Sequence, residues 1–469
     1  MPRPFHLGKV ETPQIDYKTA MAPPSDIVPQ EAYTHIRRAQ ELLRARDLDG
    51  ARREADAALA LPISDFVARN ALGSVLYEVD NLDAARAQFQ NALAENPRYA
   101  DALNNLANVL ARQGKPRAAL EFYERALAES PHNADYLANL GGVRQALGDV
   151  SGALKNFEAA LTADPTHADA RWNRALAQLL TGDLAAGFAD YEARWSLPEF
   201  VRRDLAGPLW RGEDVRGKII LVHSEQGYGD TIQMVRFAKI LMARGARVLV
   251  ETHAALAPIV RIVDGVAEVI VHGAGVPAFD LHVPMMSLPG LCGLARVADI
   301  PSAARYMSAP NGPSVALPPR RGQERRVGLV WSGRPTHKND RNRSLGAGLL
   351  SPFAALPCVR LFSLQIGAAG DDLACLPGIV DLAPHLSDFG VTARILDDLD
   401  LIVTVDTAIA HLAGALGKPC WVMLPFAPDW RWLLGRDTSP WYPSLRLYRQ
   451  PKLDDWASVI ERIATDLAA

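Results

Sequence analysis

The stretch ADALNNLANVLARQGKPRAALEFYERALAESPHN, residues 100–133, is followed at once by ADYLANLGGVRQALGDVSGALKNFEAALTADPTH, residues 134–167. Laid one over the other, the two stretches share a pattern with a period of 34 residues. Gly73, Ala107, Gly141 and Ala175 hold one register position, Ala85, Ala119 and Ala153 a second, and Phe89, Tyr123, Phe157 and Tyr191 a third. Pro97, Pro131 and Pro165 close successive units, and Gly114, Gly148 and Gly182 mark the turn inside each. These residue types suit a helix–turn–helix unit. Small residues let paired backbones approach, the aromatic fills the gap between units, proline ends the second helix, and glycine takes a left-handed turn at little steric cost. Units of this size stack to bury a core that none could bury alone. Residues 32–65 fit the register loosely, with Ala39, Ala51 and Ala58 in place, and read as an atypical capping unit. A last unit, 168–195, ends in YEARW in place of proline.

The period resembles that of the tetratricopeptide repeat. The reading is a repeat solenoid over 31–200, preceded by a proline-rich, disordered or extended arm over 1–30. Two roles stay open for it. One is a scaffold that spaces the protein or dimerises it into a homo-oligomer. The other is a concave surface that recruits a protein acceptor, with Asn104, Asn105, Asn108 and Asn139 of the first helices offered to extended peptide backbone.

Bulk properties narrow the class. With 469 residues the chain exceeds one hydrophobic core. Hydrophobic residues make up 49% and charged residues 22%, and the net charge is −3, so no polybasic signal for nucleic acid or an anionic membrane is present. Cys292, Cys358, Cys375 and Cys420 lie far apart and form no metal-ligand spacing. No apolar run approaches the roughly 20 residues that span a bilayer, and the first residues hold no signal-peptide core. A cytoplasmic protein without metal or cofactor is the expectation.

Beyond Trp210 the pattern changes. KIILVH, RVLVE, AEVIVH and FDLHVP alternate with helical segments, and after a Pro/Gly/Arg-rich stretch a second series follows: RVGLVWSG, VRLFSLQ, GIVDL, DLIVTVD and PCWVML. Strands alternating with helices imply parallel sheets with right-handed crossovers. The expected class is therefore α + α/β: a repeat solenoid, then a pair of Rossmann-like lobes over 208–310 and 326–469, joined by a linker over 311–325.

Four motifs carry chemistry. HSEQGYGDTIQ (223–233) lies where a strand passes into a helix. Gly227 and Gly229 let the backbone approach a ligand there, and Asp230 either accepts a proton from an attacking hydroxyl or only caps the helix. Glu225, Gln226 and Gln233 of the same motif are candidate donor or acceptor contacts. A dinucleotide fingerprint fails because Ile232 stands where its third glycine belongs. In VTVDTAIAHLAGALGKP (403–419), a buried strand delivers Asp406, Thr407 and Ala408 begin a helix, and His411 follows on the face of Thr407. A helix start of this kind favours a diphosphate, while a lone histidine is also compatible with a structural role. WSGRPTHKNDRNRSL (331–345) is a polar loop with Ser332 and Gly333 at its start and three cations, Lys338, Arg341 and Arg343. They would offset charge on a departing nucleotide, or merely be solvated. FAPDWRWLLGRDTSPWYP (426–443) brings Trp430 and Arg431 as ligand contacts or as a structural lock. Asp398-Leu399-Asp400 matches a metal-binding Asp-x-Asp pattern, but it precedes a strand and reads as its cap.

Taken together, YEARW, HSEQGYGDTIQ, WSGRPTHKNDRNRS and VDTAIAHLAGALGKP…DWRW…SPWYP…RLYRQ resemble bacterial glycosyltransferases that carry tetratricopeptide repeats. The second half is similar, more distantly, to heptosyltransferases of lipopolysaccharide synthesis. That resemblance implies a GT-B fold, a nucleotide-sugar donor and inversion at the anomeric centre. It implies Asp230 as base, Asp406, Thr407 and His411 at the sugar nucleotide, and Lys338, seconded by Arg341 and Arg343, at the phosphates. Some repeat-bearing relatives modify flagellin, which implies a protein acceptor. Two departures limit the transfer. The first lobe, about 100 residues, is short for such a fold, and heptosyltransferases lack the repeats. The competing classes are a non-catalytic adaptor and an enzyme of cell-surface polysaccharide synthesis.

Overall fold

The computed structural model describes residues 30–63, 65–320, 322–336, 339–367 and 370–469. The expected arm over 1–30 falls almost wholly outside them. Contacts divide the chain into two compact units, one ending at Arg174 and the other beginning at Ala175.

The first unit is all helix. It contains α1 (Gln30–Arg44), α2 (Leu48–Leu59), α3 (Phe66–Glu78), α4 (Leu82–Glu95), α5 (Ala100–Arg112), α6 (Pro116–Glu129), α7 (Ala134–Ala146), α8 (Val150–Ala163) and the start of α9 (Ala168–Thr181). The glycine positions allow the close approach their residue type implies, but the aromatic packs within its own unit and not in the gap between units. A Cβ on Gly73 would stand 2.6 Å from the Phe89 ring, and one on Gly141 would stand 2.5 Å from the Phe157 ring. The aromatic of each second helix therefore lies against the backbone of its own first helix, and glycine makes room for it.

The inner turns repeat with the same period. Gly114, Gly148 and Gly182 have φ of 77°, 85° and 92°, and the equivalent positions in the first two units, Arg46 and Asp80, have φ of 63° and 65°. A side chain in this left-handed region costs about 1–2 kcal/mol. Asp80 is at least ion-paired with Arg112 at 3.1 Å.

Asn104, Asn105, Asn108 and Asn139 do not stand on an open face. All four are buried. Asn105 donates to Asn70 at 3.0 Å, Asn139 donates to Asn104 at 3.0 Å, and Asn104 donates to Asn105 at 3.4 Å. The Tyr123 hydroxyl donates to Asn108 at 2.6 Å. Asn70 with Asn105 and Asn104 with Asn139 pair one repeat apart, as buried amides require, whereas the Asn108 Nδ2 has no hydrogen-bond partner. The expected acceptor surface is thus an internal ladder.

The second unit opens with the end of α9 and with α10 (Leu184–Tyr191) and a 3-10 turn, Glu192–Ser196. The contact division falls inside α9, so the last helical hairpin of the repeat stretch counts with the second unit. Two all-parallel sheets follow. The first contains β1 (Ile219–His223), β2 (Arg247–Thr252), β3 (Val266–Val271) and β4 (Leu281–Pro284) in the order β3-β2-β1-β4. The second contains β5 (Arg325–Val330), β6 (Val359–Ser363), β7 (Val380–Asp381), β8 (Leu401–Val405), β9 (Cys420–Leu424) and β10 (Leu445–Arg449) in the order β10-β9-β8-β5-β6-β7. This is the doubly wound order, with the chain reversing direction across the sheet between β5 and β8. The sequence pattern did not single out β10. The helix that follows HSEQGYGDTIQ is broken into Tyr228–Met234, a 3-10 turn and Ala238–Ala243. In the second lobe Val327, Leu329, Val403, Val405 and Met423 share one core with Trp456, Ile460 and Ile463 of the last helix. Among the described residues no helix is long and apolar enough to cross a membrane.

Replacing Arg46 with glycine removes the left-handed strain of a solvent-exposed position. The Arg46→Gly variant should be more stable by up to about 1 kcal/mol in chemical denaturation, less the entropy glycine adds to the unfolded chain. A variant less stable than wild type would show that the turn is not strained.

Candidate active site between the two sheets

The two strand-to-helix junctions singled out in the sequence meet. Helix Tyr228–Met234 packs on helix Ala408–Ala415. A Cβ on Gly229 would stand 2.7 Å from the His411 ring and 3.6 Å from the Ala408 Cα. Glycine is needed here because two helices approach without room for a side chain.

Asp230 caps its helix and also does more. The Gly227 N–H donates to Oδ2 at 2.7 Å, while Oδ1 is ion-paired with Arg431, which is carried by the second lobe. Arg431 is buried and also donates to Gln233 at 2.7 Å and to Asp429 at 2.9 Å, lying over the Trp430 ring at 4.3 Å. Burial raises the Asp230 pKa above the ordinary carboxylate value, and the Arg431 charge opposes that rise. Trp430 meets Phe188 and Trp441 edge-on, at 5.7 and 6.0 Å.

At the second junction the Thr407 hydroxyl accepts from the Ile409 N–H at 3.3 Å and lies 3.1 Å from the Thr404 hydroxyl. His411 bonds through Nδ1 to the Tyr442 hydroxyl at 2.9 Å and stacks on Trp432. Burial, with Arg431, Arg236 and Arg343 nearby, holds His411 well below its ordinary pKa, so it is a neutral imidazole. Arg343 donates to the Asp406 carbonyl at 2.8 Å and to Asp340 at 3.3 Å. Burial, reinforced by the Asp429 charge, pushes the Asp406 carboxyl up to about 6.

Other candidates fare unevenly. The Ser332 and Gly333 N–H groups donate to Gln365 and to the Ser344 hydroxyl, both at 2.9 Å, so the loop spends them on its own shape. The Arg341 side chain is exposed. Lys338 lies outside the described residues. Asp400 of the Asp-x-Asp pattern pairs with Arg320 at 2.7 and 2.8 Å and accepts from the Arg326 N–H, a structural role.

Around Glu225 the structure reveals a buried network. Arg194 of YEARW is fully buried, donating to Glu225 at 3.1 Å, to Glu192 at 2.6 Å and to the Ser287 hydroxyl at 2.7 Å. The Met286 N–H also donates to Glu225, and burial pushes that carboxyl up to about 7 despite Arg194. Gln226 donates to the Tyr191 hydroxyl at 3.1 Å. Arg194, Glu192 and Ser287 were not foreseen as functional, although YEARW broke the repeat pattern and so carried the signal.

Comparison with known proteins agrees with this arrangement. The tetratricopeptide-repeat family model matches residues 70–134 and 139–195. The model of glycosyltransferase family 9 (heptosyltransferase) matches residues 370–422, which hold β8 and the Asp406–His411 junction. Repeats and junction together fit a tetratricopeptide-repeat glycosyltransferase. Protein FlbA of Caulobacter vibrioides is 26% identical over 318 residues, which is 58% of this chain and 50% of that protein. The chain thus spans about half the length of this curated relative. Among solved structures, TTC0263, a tetratricopeptide-repeat protein of Thermus thermophilus, is 22% identical, covering 36% of this chain and 91% of its own at a TM-score of 0.32. PilW, a type IV pilus biogenesis factor, is also 22% identical, covering 37% and 80% at a TM-score of 0.33. Overlaps this partial carry no argument about the transferase region.

The raised Asp406 pKa has a sign that can be checked. Folding favours the protonated carboxyl, so its contribution is full below about pH 4 and is lost as pH rises through 6. Asp406→Asn cannot ionise and should gain stability relative to wild type between pH 4 and pH 7, followed by urea denaturation. A difference that does not change with pH would contradict the assignment.

Proposed function

We propose that the chain moves a sugar from a nucleotide-sugar donor to a hydroxyl group on a protein acceptor, such as flagellin, recruited with the help of the repeats. The observation that carries this reading is the meeting of the Gly229–Asp230 turn with the Thr407–His411 helix start. One lobe thereby brings a carboxylate to the place where the other offers a helix N-terminus and Arg343. A phosphate at that helix start would meet a favourable dipole and the Ala408 N–H, the Ile409 N–H being capped by the Thr407 hydroxyl.

The reaction follows from these positions. The acceptor oxygen forms its bond to the anomeric carbon as the bond from that carbon to the phosphate oxygen breaks. The hydroxyl proton passes to Asp230, and the nucleotide leaves as its phosphate, its charge met by arginines rather than by a metal ion. Attack opposite the leaving group inverts the anomeric centre. Asp230 has the capacity for this. Its two oxygens offer about four acceptor sites, of which Gly227 and Arg431 occupy one each. The Arg431 charge opposes the rise that burial imposes on the carboxyl, which favours the ionised form a base requires. The two lobes support a GT-B arrangement, with the first lobe toward the acceptor and the second toward the donor.

Asp230→Ala should lower kcat by about 10²–10⁴-fold while nucleotide-sugar binding, followed by thermal shift, survives. Unchanged turnover would remove Asp230 from the mechanism. Arg431→Met takes away the charge that opposes burial, so the acid limb of the pH–rate profile should move to higher pH. An unmoved limb would mean that Asp230 is not the titrating base.

A further inference from the structure

The turn that leads to Asp230 is held from outside its own sheet. β1 ends at His223 and the helix that carries Asp230 begins at Tyr228, so residues 224–227 set where the carboxylate lies. The sheet grips the first of them: the Ser224 N–H donates to the Glu251 carbonyl at 3.0 Å, and its hydroxyl lies 3.0 Å from His272 Nε2. The next two are gripped by the last helical hairpin. Arg194 donates to Glu225 at 3.1 Å, the Gln226 amide nitrogen donates to the Tyr191 hydroxyl at 3.1 Å, and the Gln226 oxygen lies 3.3 Å from that hydroxyl. Tyr191 and Arg194 are three residues apart, on one face of a helical turn, which matches them to consecutive residues opposite.

This grip is rigid. Both terminal nitrogens of the buried Arg194 are engaged, Nη1 by Glu192 at 2.6 Å and the Tyr191 carbonyl at 3.2 Å, Nη2 by Glu225 and by the Ser287 hydroxyl at 2.7 Å. A guanidinium is a planar fork, so its bonds fix directions as well as distances. Tyr191 is buried as well. Burial raises its hydroxyl above the ordinary pKa, with Arg431 and Arg194 opposing the rise and Asp230 adding to it, so the group stays neutral and lies within the field of the Asp230–Arg431 pair. One helical turn earlier, Phe188 meets Trp430 edge-on at 5.7 Å, and Arg431 lies over that indole. The hairpin thus touches both sides of the pair: the turn before Asp230 through Tyr191 and Arg194, and the loop of Arg431 through Phe188.

We infer that Tyr191 and Arg194 are positioning residues for Asp230, holding residues 225–227 so that the carboxylate faces the acceptor hydroxyl in a productive geometry. The inference rests on the transferase reading and names what sets the geometry of its base. A shift of about 1 Å at a reacting group costs about 10²-fold in rate. The donor phosphates are assigned to the other lobe, so loosening the turn acts on turnover and spares donor binding.

The test uses the full chain and its variants Tyr191→Phe, Gln226→Met, the two combined, and Arg194→Met, assayed for nucleotide release from a panel of ADP-, GDP-, UDP- and CMP-linked sugars. Tyr191→Phe removes one buried oxygen and should lower kcat about tenfold with the donor KM within about twofold, and Arg194→Met should lower kcat about 10²-fold. The double variant should be no slower than Tyr191→Phe, because both changes remove the same contact. Hydrogen exchange at 225–230 should quicken in Tyr191→Phe and Arg194→Met, while helix Ala408–Ala415 keeps its protection. An unchanged kcat in Tyr191→Phe, a loss carried by KM, or additive effects of Tyr191→Phe and Gln226→Met would overturn the positioning role. A wild-type chain that releases nucleotide from none of the donors sinks the transferase reading. Exchange then decides by itself whether the hairpin holds the turn, and unaltered protection at 225–230 in both variants overturns that.

Discussion

The guanidinium of Arg431 is the point on which the second unit turns. It is a buried charge, and a buried charge must be paired and hydrogen-bonded to be tolerated. Its partners come from both lobes: Asp429 from its own, and Asp230 and Gln233 from the other, about 200 residues away in sequence. The pair forms where Gly229 lies close against the His411 ring, so both contacts join the same two elements of the lobes. A second buried arginine reinforces the junction. Arg236 of the first lobe donates to the Trp441 carbonyl of the second at 2.8 Å and lies over the rings of Tyr306 and Tyr442. The chemistry proposed for the site follows from this constraint, since the residue that joins the lobes also opposes the rise that burial imposes on the Asp230 pKa.

A similar logic acts at the entrance to the unit. Arg194 ends the repeat pattern, yet its charge is buried among Glu192, Glu225 and Ser287 of the transferase region. Gly290 allows the close approach this needs, since a Cβ there would lie 3.1 Å from the Phe188 Cβ. The hairpin from Ala175 to Ser196 therefore belongs physically to the second unit, although its sequence still follows the repeat register.

What could be read from the sequence was what depends on local spacing. The small and aromatic register positions were legible from the 34-residue period, but their contact inside one unit, Gly73 on Phe89 and Gly141 on Phe157, was not. The strand ends bearing Asp230 and Asp406 were legible because a buried apolar run followed by a glycine or threonine turn has few other outcomes. The amide ladder was not. An asparagine on a first helix looks like a solvated residue until a second amide, 35 residues away, is placed beside it. The Ser332 and Gly333 amides looked free for phosphate for a related reason: Gln365, which takes the Ser332 N–H, is 33 residues distant and carries no pattern. β10 went unread because LRLYR alternates with charged residues and follows a run of prolines and tryptophans.

In the proposed reaction, donor and acceptor are held on opposite sides of the Gly229–His411 contact. A crystal structure of the full chain with a non-hydrolysable nucleotide-sugar analogue tests it most directly. The account places the phosphates at the start of helix Ala408–Ala415 beside Arg343, with the anomeric carbon facing Asp230. Phosphates bound elsewhere, with the Thr407 helix start empty, would contradict it.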